Sequence, residues 1–374
     1  MPAARFSIDD INRFLDRTVL SLSGATSLFL WHYFKSRSIL GSSHTPYDHL
    51  RSSRFLSLLL AFVALKTLHR TLNRLTRNHG WKADPPRWSL ENGKGDIVLI
   101  TGGSTGIGKE LVERLSKKTG NIAVLDMAPP TYNAKNVKYY KCDITDPKAI
   151  AEVAKKVRAE IGEPTVLINN AGIARGKTIL ETKPEEFLLT YKVNVLGCHN
   201  ILREFLPHII KLNHGHIMTT ASSASYAAIP QLSEYACSKA AALALHETLA
   251  GELRHRYNAP RVRTSVICPT KVSTQMGDAM KDQDTQFLSP TLDAGWLAGE
   301  MVRIIESGLS DHLVTPHFAS LLLPSLRSGP DYFRWFVATV GKTHETITAE
   351  RNAVQMKTYK FVEQLDKAHG ISSS

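Results

Sequence analysis

Tyr235 and Lys239 have the residue types and the spacing for acid–base chemistry. They are four positions apart, so on a helix they lie on one face with their side chains within reach of each other. A tyrosine titrates near ~10 in water, and a lysine ammonium beside it favours the phenolate and lowers the pKa. Ser222, thirteen residues before Tyr235 and just after the apolar run 216–220, can bring a hydroxyl to the same place. The three groups suit proton transfer to or from an alcohol oxygen, although a Tyr and a Lys at this spacing also occur on helices without catalytic function.

A glycine-rich turn lies well upstream of these residues. The apolar run Asp96–Ile100 predicts a strand, Thr101–Gly108 (TGGSTGIG) follows it, and a helical pattern runs from Lys109 to Lys118. Glycines at 102, 106 and 108 allow a tight turn that brings a pyrophosphate against a helix N-terminus, where free N–H groups favour anions. A lone glycine-rich turn is weak evidence, but this one has the strand-to-helix context that a dinucleotide site requires.

Asp126 ends the next predicted strand, Asn121–Asp126, about twenty residues further on. A carboxylate there can accept hydrogen bonds from both ribose hydroxyls of an adenosine and repels a 2′-phosphate. Thr105, not a basic residue, precedes Gly106. Both observations favour NAD(H) over NADP(H), and NADP(H) is left open.

Strands and helices alternate from Asp96 onward, which predicts an α/β fold, a Rossmann-like doubly wound parallel sheet with helices on both faces. Further strands are predicted at 137–142, 165–168, 216–220 and 262–268, and helices at 147–161, 184–212 and 233–257.

With these residues laid out, the chain from about Asp96 to Pro316 resembles the short-chain dehydrogenase/reductase family, in particular its membrane-associated retinol and 17β-hydroxysteroid dehydrogenase-like members. The resemblance covers about 220 of the 374 residues and includes several motifs in the family order. Thr101–Gly108 matches the TGxxxGxG turn, Asp143 the acid that contacts adenine, and Asn169–Gly172 the NNAG motif. Asn194, Ser222, Tyr235 and Lys239 match the catalytic tetrad, and Pro269 and Thr274 match the PxxxxT segment that closes over the nicotinamide. The cofactor-binding residues that the resemblance implies are Gly102, Ser104, Thr105, Gly106, Ile107, Gly108, Asp126, Asp143, Asn170, Ala171, Gly172, Tyr235, Lys239, Pro269, Val272 and Thr274.

The resemblance also implies a role for each catalytic residue. Tyr235 exchanges a proton with the substrate oxygen, Ser222 holds that oxygen, and Lys239 lowers the tyrosine pKa and binds the nicotinamide ribose. Asn194 positions a water that links Lys239 to solvent. Two simpler readings stay open: Asn194 as a cap or kink of its helix, and Asp143 as an ordinary helix N-cap. Thr270 follows Pro269 where many members have glycine, a variant seen in members that act on retinoids, steroids and fatty alcohols.

Charge and cysteine content exclude other classes of protein. The net charge is +12, and residues 1–94 hold most of it, with 14 Lys and Arg against 6 Asp and Glu. The basic residues of this region alternate with leucines and form no recognition motif, which argues against nucleic-acid binding. The four cysteines have neither CxxC pairs nor metal-like spacing with histidine, so we expect reduced thiols, no disulfide and no metal site.

The N-terminal region contains two apolar segments. Thr18–Phe34 has 17 residues without an acidic or basic side chain, at the short limit for a spanning helix. Phe55–Leu65 is too short to span alone, and it continues as a basic amphipathic pattern with Lys66, Arg70, Arg74 and Arg77. Acidic residues before the first segment argue against a cleavable signal. We expect membrane attachment, with buried helices packed on the catalytic domain as the alternative.

These observations predict three regions: an anchor and linker at 1–94, with the linker at Asn78–Gly95, a catalytic domain at 95–316, and a C-terminal extension at 317–374. A polar substrate lid is expected at Gln275–Thr291. The apolar, aromatic stretch 318–336 suits a substrate entrance, a membrane contact or a cover for the sheet edge.

The leading functional prediction is a membrane-associated NAD(P)-dependent enzyme that interconverts an alcohol and a carbonyl on a lipophilic small molecule. An NADPH-dependent carbonyl reductase of lipid synthesis and a catalytically idle membrane or lipid-droplet scaffold are the alternatives. The expected location is the endoplasmic-reticulum membrane or a lipid droplet, with the catalytic domain facing the cytosol, because basic residues follow the second apolar segment and unpaired cysteines persist in a reducing compartment. A homodimer is left open.

Overall fold

The computed structural model describes residues 7–40, 45–46, 53–80, 95–134, 136–280, 290–320, 322–340, 345, 347 and 360–371. The chain forms two compact units, Met1–Trp81 and Lys82–Ser374. Most of the predicted linker and residues 281–289 of the predicted lid lie outside the described residues. The domain boundaries predicted at residues 94 and 316 therefore stay predictions.

The first unit contains three described helices: α1 (Ile8–Arg17), α2 (Leu22–Leu40) and α3 (Arg54–Arg77). Within the described part of the chain, α3 alone is long and apolar enough to cross a membrane. The short apolar segment and its basic continuation are thus one 24-residue helix. Asp16 on α1 pairs with Lys66 and Arg70 on α3, so two of the four basic residues of that continuation are already in ion pairs.

The apolar segment Thr18–Phe34 is not one continuous helix. Residues 18–21 form a turn between α1 and α2. In that turn the Ser21 hydroxyl donates to the Thr18 carbonyl at 2.6 Å and accepts from the Gly24 amide at 2.9 Å. Serine side chains that bond to nearby backbone in this way compete with helical hydrogen bonds, which gives a local reason for the break.

The second unit is built on a sheet of seven parallel strands in the order β3-β2-β1-β4-β5-β6-β7. The strands are β1 (Val98–Thr101), β2 (Ile122–Asp126), β3 (Val137–Lys141), β4 (Val166–Asn169), β5 (Gly215–Thr220), β6 (Val262–Cys268) and β7 (His312–Val314). The strand order reverses direction between β1 and β4, and in open α/β sheets ligands bind beyond the carboxyl ends of the strands at such a point. The predicted Rossmann-like architecture is confirmed.

The second unit also contains nine described α-helices, several of which cover the two faces of the sheet. They are α4 (Gly106–Leu115), α5 (Pro147–Glu160), α6 (Pro184–Tyr191), α7 (Cys198–Leu212), α8 (Ser233–His255), α9 (Ala294–Glu306), α10 (Leu322–Ser325), α11 (Asp331–Val340) and α12 (Lys360–Ala368). One buried apolar cluster joins α4 and α9 to the sheet. A second cluster joins α5, α7 and α8 to the opposite face and also takes in Val362 and Leu365 of α12.

Between residues 98 and 314, three of the described strands and helices differ from the sequence prediction. The helix predicted over 184–212 is divided, because a π-helical turn, Lys192–Gly197, separates α6 from α7. Strand β7 and helix α9 were not predicted. Strand β7 pairs with the neighbouring β6. It has only three residues, too few to show a recognisable hydrophobic pattern in the sequence.

Candidate active site

The glycine-rich turn between β1 and α4 has a backbone that only glycine accommodates. Gly102 and Gly106 have φ values of 66° and 55°, in the left-handed region. A Cβ on Gly102 would lie 2.7 Å from the Ala171 Cα, and a Cβ on Gly108 would lie 2.0 Å from the Gly102 carbonyl oxygen. The backbone is therefore closely packed in this turn, and a ten-residue helix begins directly after it. A tight turn before a helix N-terminus suits the binding of a dinucleotide pyrophosphate.

Asp126, at the end of β2, is held against the glycine-rich turn. Its two carboxylate oxygens accept hydrogen bonds from the backbone N–H groups of Ser104 and Ala128, at 2.9 and 3.0 Å. Burial raises the pKa of Asp126 above its ordinary value, and these hydrogen bonds act in the opposite direction. Ser104 is fully buried and also donates its hydroxyl to the Ala128 carbonyl, so it shapes the turn and does not face the cavity.

A cavity opens at the carboxyl ends of β1, β2, β3 and β4. Ten of the sequence-predicted cofactor residues line it: Gly102, Thr105, Gly106, Ile107, Asp126, Asp143, Asn170, Ala171, Gly172 and Thr274. The other six, Ser104, Gly108, Tyr235, Lys239, Pro269 and Val272, are not among its lining residues. The remaining lining residues are Leu125, Met127, Ala128, Cys142, Ile144, Val193, Gln275, Met276 and Leu365.

Thr274 closes the cavity from the loop after β6. Its methyl group lies 3.3 Å from where a Cβ on Gly106 would be, and its hydroxyl accepts a hydrogen bond from Gly277 N at 3.1 Å. Val272 forms a bridge with Leu292, and the Pro269 carbonyl accepts a hydrogen bond from Ser223 N at 2.9 Å. The predicted PxxxxT segment thus lies between the glycine-rich turn and the residues around Ser222.

The structure brings Tyr235, Ser222 and Lys239 to one buried place. The Ser222 side chain is close enough to the Tyr235 hydroxyl to lower its pKa, and the Lys239 Nζ lies 5.6 Å from the centroid of the tyrosine ring. That Nζ donates to the Thr220 carbonyl at 2.7 Å. It also lies 3.2 Å from where a Cβ on Gly172 would be, which places it directly behind the cavity wall.

The electrostatics of this pair differ from the sequence-based expectation. Burial raises the pKa of Tyr235, and the nearby Ser222 side chain lowers it by a smaller amount. Burial lowers the pKa of Lys239 to about 8. Both groups lie in one buried site, where desolvation disfavours their charged forms. For Tyr235, this desolvation outweighs any lowering of its pKa by the Lys239 ammonium.

Asn194 lies on the π-helical turn, and its side chain is buried. The amide oxygen accepts from Ile173 N at 2.8 Å, and the amide nitrogen donates to the Ile173 carbonyl and to the Ser238 hydroxyl at 2.9 and 2.8 Å. The residue therefore fixes the loop after β4 to the helix that carries Lys239. π-helical turns are frequent at functional sites, and the role predicted for Asn194 in holding a water stays a prediction.

Asp143 is not the N-cap of α5. Asp146 holds that position and accepts a hydrogen bond from Lys148 N at 2.8 Å. The Asp143 carboxylate instead lines the cavity and accepts from Thr145 N at 2.8 Å. The structure thus removes the simpler reading of this residue and leaves it facing the cofactor cavity.

The geometry of the site agrees with the protein family that the sequence matches. The short chain dehydrogenase family model matches residues 96–285, which hold the glycine-rich turn, Asp126 and the Tyr235–Lys239 pair. The chain belongs to the short-chain dehydrogenase family. The predicted resemblance is confirmed, and this short-chain dehydrogenase is an NAD(P)-dependent oxidoreductase.

Individual relatives point the same way. Dehydrogenase RED2 of Cochliobolus heterostrophus is 41% identical over 220 residues, which are 58% of this chain and 81% of the relative. Human estradiol 17-beta-dehydrogenase 11 is 35% identical over 208 residues, 53% of this chain and 68% of that protein. Human 17-beta-hydroxysteroid dehydrogenase 13 is 33% identical over 194 residues, covering 48% and 63%.

A solved structure shows the same fold. The NADH complex of a 3-ketoacyl-(acyl-carrier-protein) reductase from Brucella melitensis superposes with a TM-score of 0.53 at 21% identity. The superposition covers 61% of this short-chain dehydrogenase and 98% of the reductase chain. Helix α12 lies beyond the residues that the family model matches.

Proposed function

We propose that this short-chain dehydrogenase interconverts an alcohol and a carbonyl on a lipophilic substrate, with Tyr235 as the acid–base residue and NAD(H) as the preferred cofactor. The observation that carries the proposal is the grouping of three side chains at one buried site: Ser222 acts on the Tyr235 hydroxyl and lowers its pKa, and Lys239 lies near the tyrosine ring and behind the cavity wall. Two neutral hydroxyls and one buried cation next to a dinucleotide cavity suit an alcohol or carbonyl oxygen. A protein without catalytic function has no need of that arrangement, so it argues against the scaffold alternative.

A bound nicotinamide supplies or accepts the hydride. In the reductive direction, the Tyr235 hydroxyl donates its proton to the carbonyl oxygen as the hydride reaches carbon, and the alcohol forms. In the oxidative direction, the phenolate removes the hydroxyl proton as the hydride leaves carbon. The Ser222 hydroxyl donates a hydrogen bond to the substrate oxygen, and the Lys239 ammonium stabilises the negative charge on Tyr235.

Asn194 and Thr220 hold Lys239 in place for this task. The Thr220 carbonyl accepts from its Nζ, and Asn194 ties the neighbouring Ser238 to the loop after β4. Asp126 supports NAD(H) over NADP(H), because a buried carboxylate at the end of β2 would face the 2′-position of the adenosine ribose and repel a phosphate there.

The lipophilic substrate is inferred from two sources. The names of two relatives specify a 17-beta steroid dehydrogenase activity, which concerns a hydroxyl on an apolar skeleton. In this chain, α3 exposes Leu58 and Phe62, and α11 exposes Tyr332, Trp335 and Phe336. Apolar surfaces of this kind suit a membrane or lipid-droplet surface, the phase in which such a substrate dissolves. We place the protein at the endoplasmic-reticulum membrane or a lipid droplet, with the catalytic unit facing the cytosol.

The test is a screen of steroids, retinoids and fatty alcohols that follows NADH absorbance, repeated with Tyr235→Phe. This variant should lose turnover by roughly 10²- to 10⁴-fold while NADH binding, measured by fluorescence, stays within about twofold. Tyr257→Phe is the matched control, because it removes a phenolic hydroxyl that contacts Glu252 on the surface. Lys239→Ala should reduce both turnover and binding. A Tyr235→Phe protein with most of its activity would disprove the assignment of the base.

A further inference from the structure

Helix α12 is anchored onto the catalytic unit by one buried ion pair and two buried side chains. The Arg175 guanidinium donates to both carboxylate oxygens of Asp366, at 2.6 and 2.8 Å, and its side chain has no exposed surface. Val362 and Leu365 belong to the same apolar cluster as α5, α7 and α8. A bidentate arginine–carboxylate pair fixes orientation as well as position.

Arg175 also connects α12 to the residues around Tyr235. Its backbone N–H donates to the Glu234 carboxylate at 2.8 Å, and Glu234 is the neighbour of Tyr235 in α8. The segment that carries Arg175 begins with the Asn170–Gly172 loop at the cavity. The position of α12 is therefore set by the same elements that form the cofactor cavity.

The end of α12 has a well-defined cap. Gly370 has a φ of 70°, the Ile371 amide donates to the Asp366 carbonyl at 2.8 Å, and the Gly370 amide donates to the Lys367 carbonyl at 3.3 Å. This pair of bonds and the packing of Ile371 against the apolar cluster are the features of a Schellman motif. The cap residue is His369, and the motif fixes the backbone from which its side chain extends.

The ring of His369 contacts Asp143. Nε2 lies 3.0 Å from the Asp143 Oδ2 and 3.5 Å from the Thr145 hydroxyl. A carboxylate only accepts, so Nε2 carries the proton in this contact. The other oxygen, Oδ1, accepts from Thr145 N. Asp143 is thus held by one donor on each oxygen, and each oxygen retains a lone pair for a further donor. Leu365 lines the same cavity as Asp143.

We infer that α12 and His369 are part of the adenosine half of the cofactor site. Leu365 supplies an apolar wall, and His369 is a positioning residue that holds the Asp143 carboxylate where it accepts a hydrogen bond from the adenine amino group, which is a donor. The inference rests on the proposed function, since it requires a dinucleotide in this cavity. It assigns a binding role to a helix outside the matched region 96–285.

The experiment compares NADH with its hypoxanthine analogue, in which a carbonyl acceptor replaces the amino donor. Binding to the full-length protein is measured by fluorescence titration. The wild type should prefer NADH by about tenfold, the order expected for a hydrogen bond to a charged group. His369→Ala should bind NADH about five- to tenfold more weakly and lose most of that preference, because the carboxylate is no longer oriented. Reduced nicotinamide mononucleotide, which has no adenine, should bind both proteins equally.

Three further variants separate orientation from folding. His369→Gln keeps a donor and should recover the preference for adenine. Lys367→Ala removes an exposed side chain on the same helix and should match the wild type. Leu365→Ala should weaken NADH but not the mononucleotide, with thermal melting to confirm that the protein is folded.

Each contrary result is distinct. An unchanged preference for adenine in His369→Ala overturns the inference. Tighter NADH binding by that variant also overturns it, because it would mean that His369 competes with adenine. A wild type that binds no nicotinamide dinucleotide overturns the proposed function and the inference together. A wild type that binds NADH while His369→Ala behaves like it overturns the inference alone.

Discussion

Lys239 illustrates how burial sets the conditions under which a catalytic group works. Its Nζ is buried behind the cavity wall with the Thr220 carbonyl as acceptor, and desolvation lowers its pKa to about 8. The Tyr235 pKa is raised by the same burial. Between neutral pH and pH 9, the lysine is therefore the member of the pair that changes charge.

This leads to a prediction about pH. For carbonyl reduction, kcat/KM should fall as pH rises through about 8, because deprotonation of Lys239 removes the charge that stabilises the phenolate formed after proton donation. The decline should approach tenfold per pH unit for loss of one proton. Steady-state rates across pH 6–10 measure it, and a flat profile up to pH 10 would contradict the assigned role of Lys239.

Asp126 should determine cofactor preference. We expect the wild type to bind NADH more tightly than NADPH. In Asp126→Ala the difference between the two affinities should be smaller, because the carboxylate that repels the 2′-phosphate is gone. The matched control is Asp143→Ala, which should weaken both cofactors equally because the adenine is common to both. Fluorescence titrations measure all three proteins, and a wild-type preference for NADPH would refute the prediction.

At the residue scale, the sequence indicates those side chains whose chemical type and spacing are specific. The Tyr235–Lys239 spacing, the three glycines and Asp126 all carry such a signal, and the structure brings them to one edge of the sheet. Leu365 and His369 carry none, because a leucine and a histidine about 220 residues from Asp143 in sequence have no pattern that links them. The raised pKa of Tyr235 could not be predicted from the sequence either, since desolvation depends on the packing around the hydroxyl.

At the scale of elements, strand β5 contains an unusual buried group. His216 is fully buried, its Nε2 lies 2.9 Å from the Ser265 hydroxyl, and burial, with the Arg263 charge nearby, lowers its pKa to about 3. The folded protein therefore keeps this imidazole neutral at pH values where an unfolded chain protonates it.

The sign of the effect on stability follows. Below pH ~6.5 the unfolded state binds the proton and the folded state does not, so stability falls as pH decreases, by up to about 1.4 kcal/mol per pH unit from this group. Urea unfolding at several values between pH 4 and 7 measures the slope, and His216→Gln should make it shallower by that amount. An equal slope in the two proteins would show that His216 is not responsible.

Long, regular elements were predictable and irregular ones were not. The run Val262–Cys268 is buried along its whole length, and its bounds were predicted correctly. The π-helical turn at 192–197 has the composition of an ordinary helix, so tertiary contacts such as those of Asn194 with Ile173 decide its form. The break at 18–21 depends on one serine hydroxyl, a signal too local for a hydropathy pattern.

At the scale of the whole molecule, we predict stable membrane attachment through α3. Leu58 and Phe62 are 71% and 54% exposed and lie one helical turn apart. The full-length protein should stay in the membrane fraction after a carbonate wash. Leu58→Glu/Phe62→Glu should release it, because each charge at the centre of a membrane helix costs roughly 2.5–3.5 kcal/mol.

Thr76→Glu is the control for that experiment. It adds a charge to the exposed, basic end of the same helix, where water or lipid head groups can solvate it, and it should leave the protein attached. Full-length wild type in the soluble fraction without detergent would disprove attachment, and α3 would then need a protein partner for its exposed face.

The late position of α12 in the chain has a consequence for biosynthesis. The ribosome has made all seven strands by Val314, but the helix that pairs with Arg175 begins at Lys360. A nascent or prematurely terminated chain can therefore complete the sheet while Arg175 keeps only the Glu186 carboxylate, at 3.7 Å, and the surface for Val362 and Leu365 is bare. Incompletely paired buried charges and exposed apolar patches are what chaperones and proteases encounter in incomplete proteins. If the inference about the adenosine site holds, docking of α12 both closes that site and removes features that mark a chain for degradation.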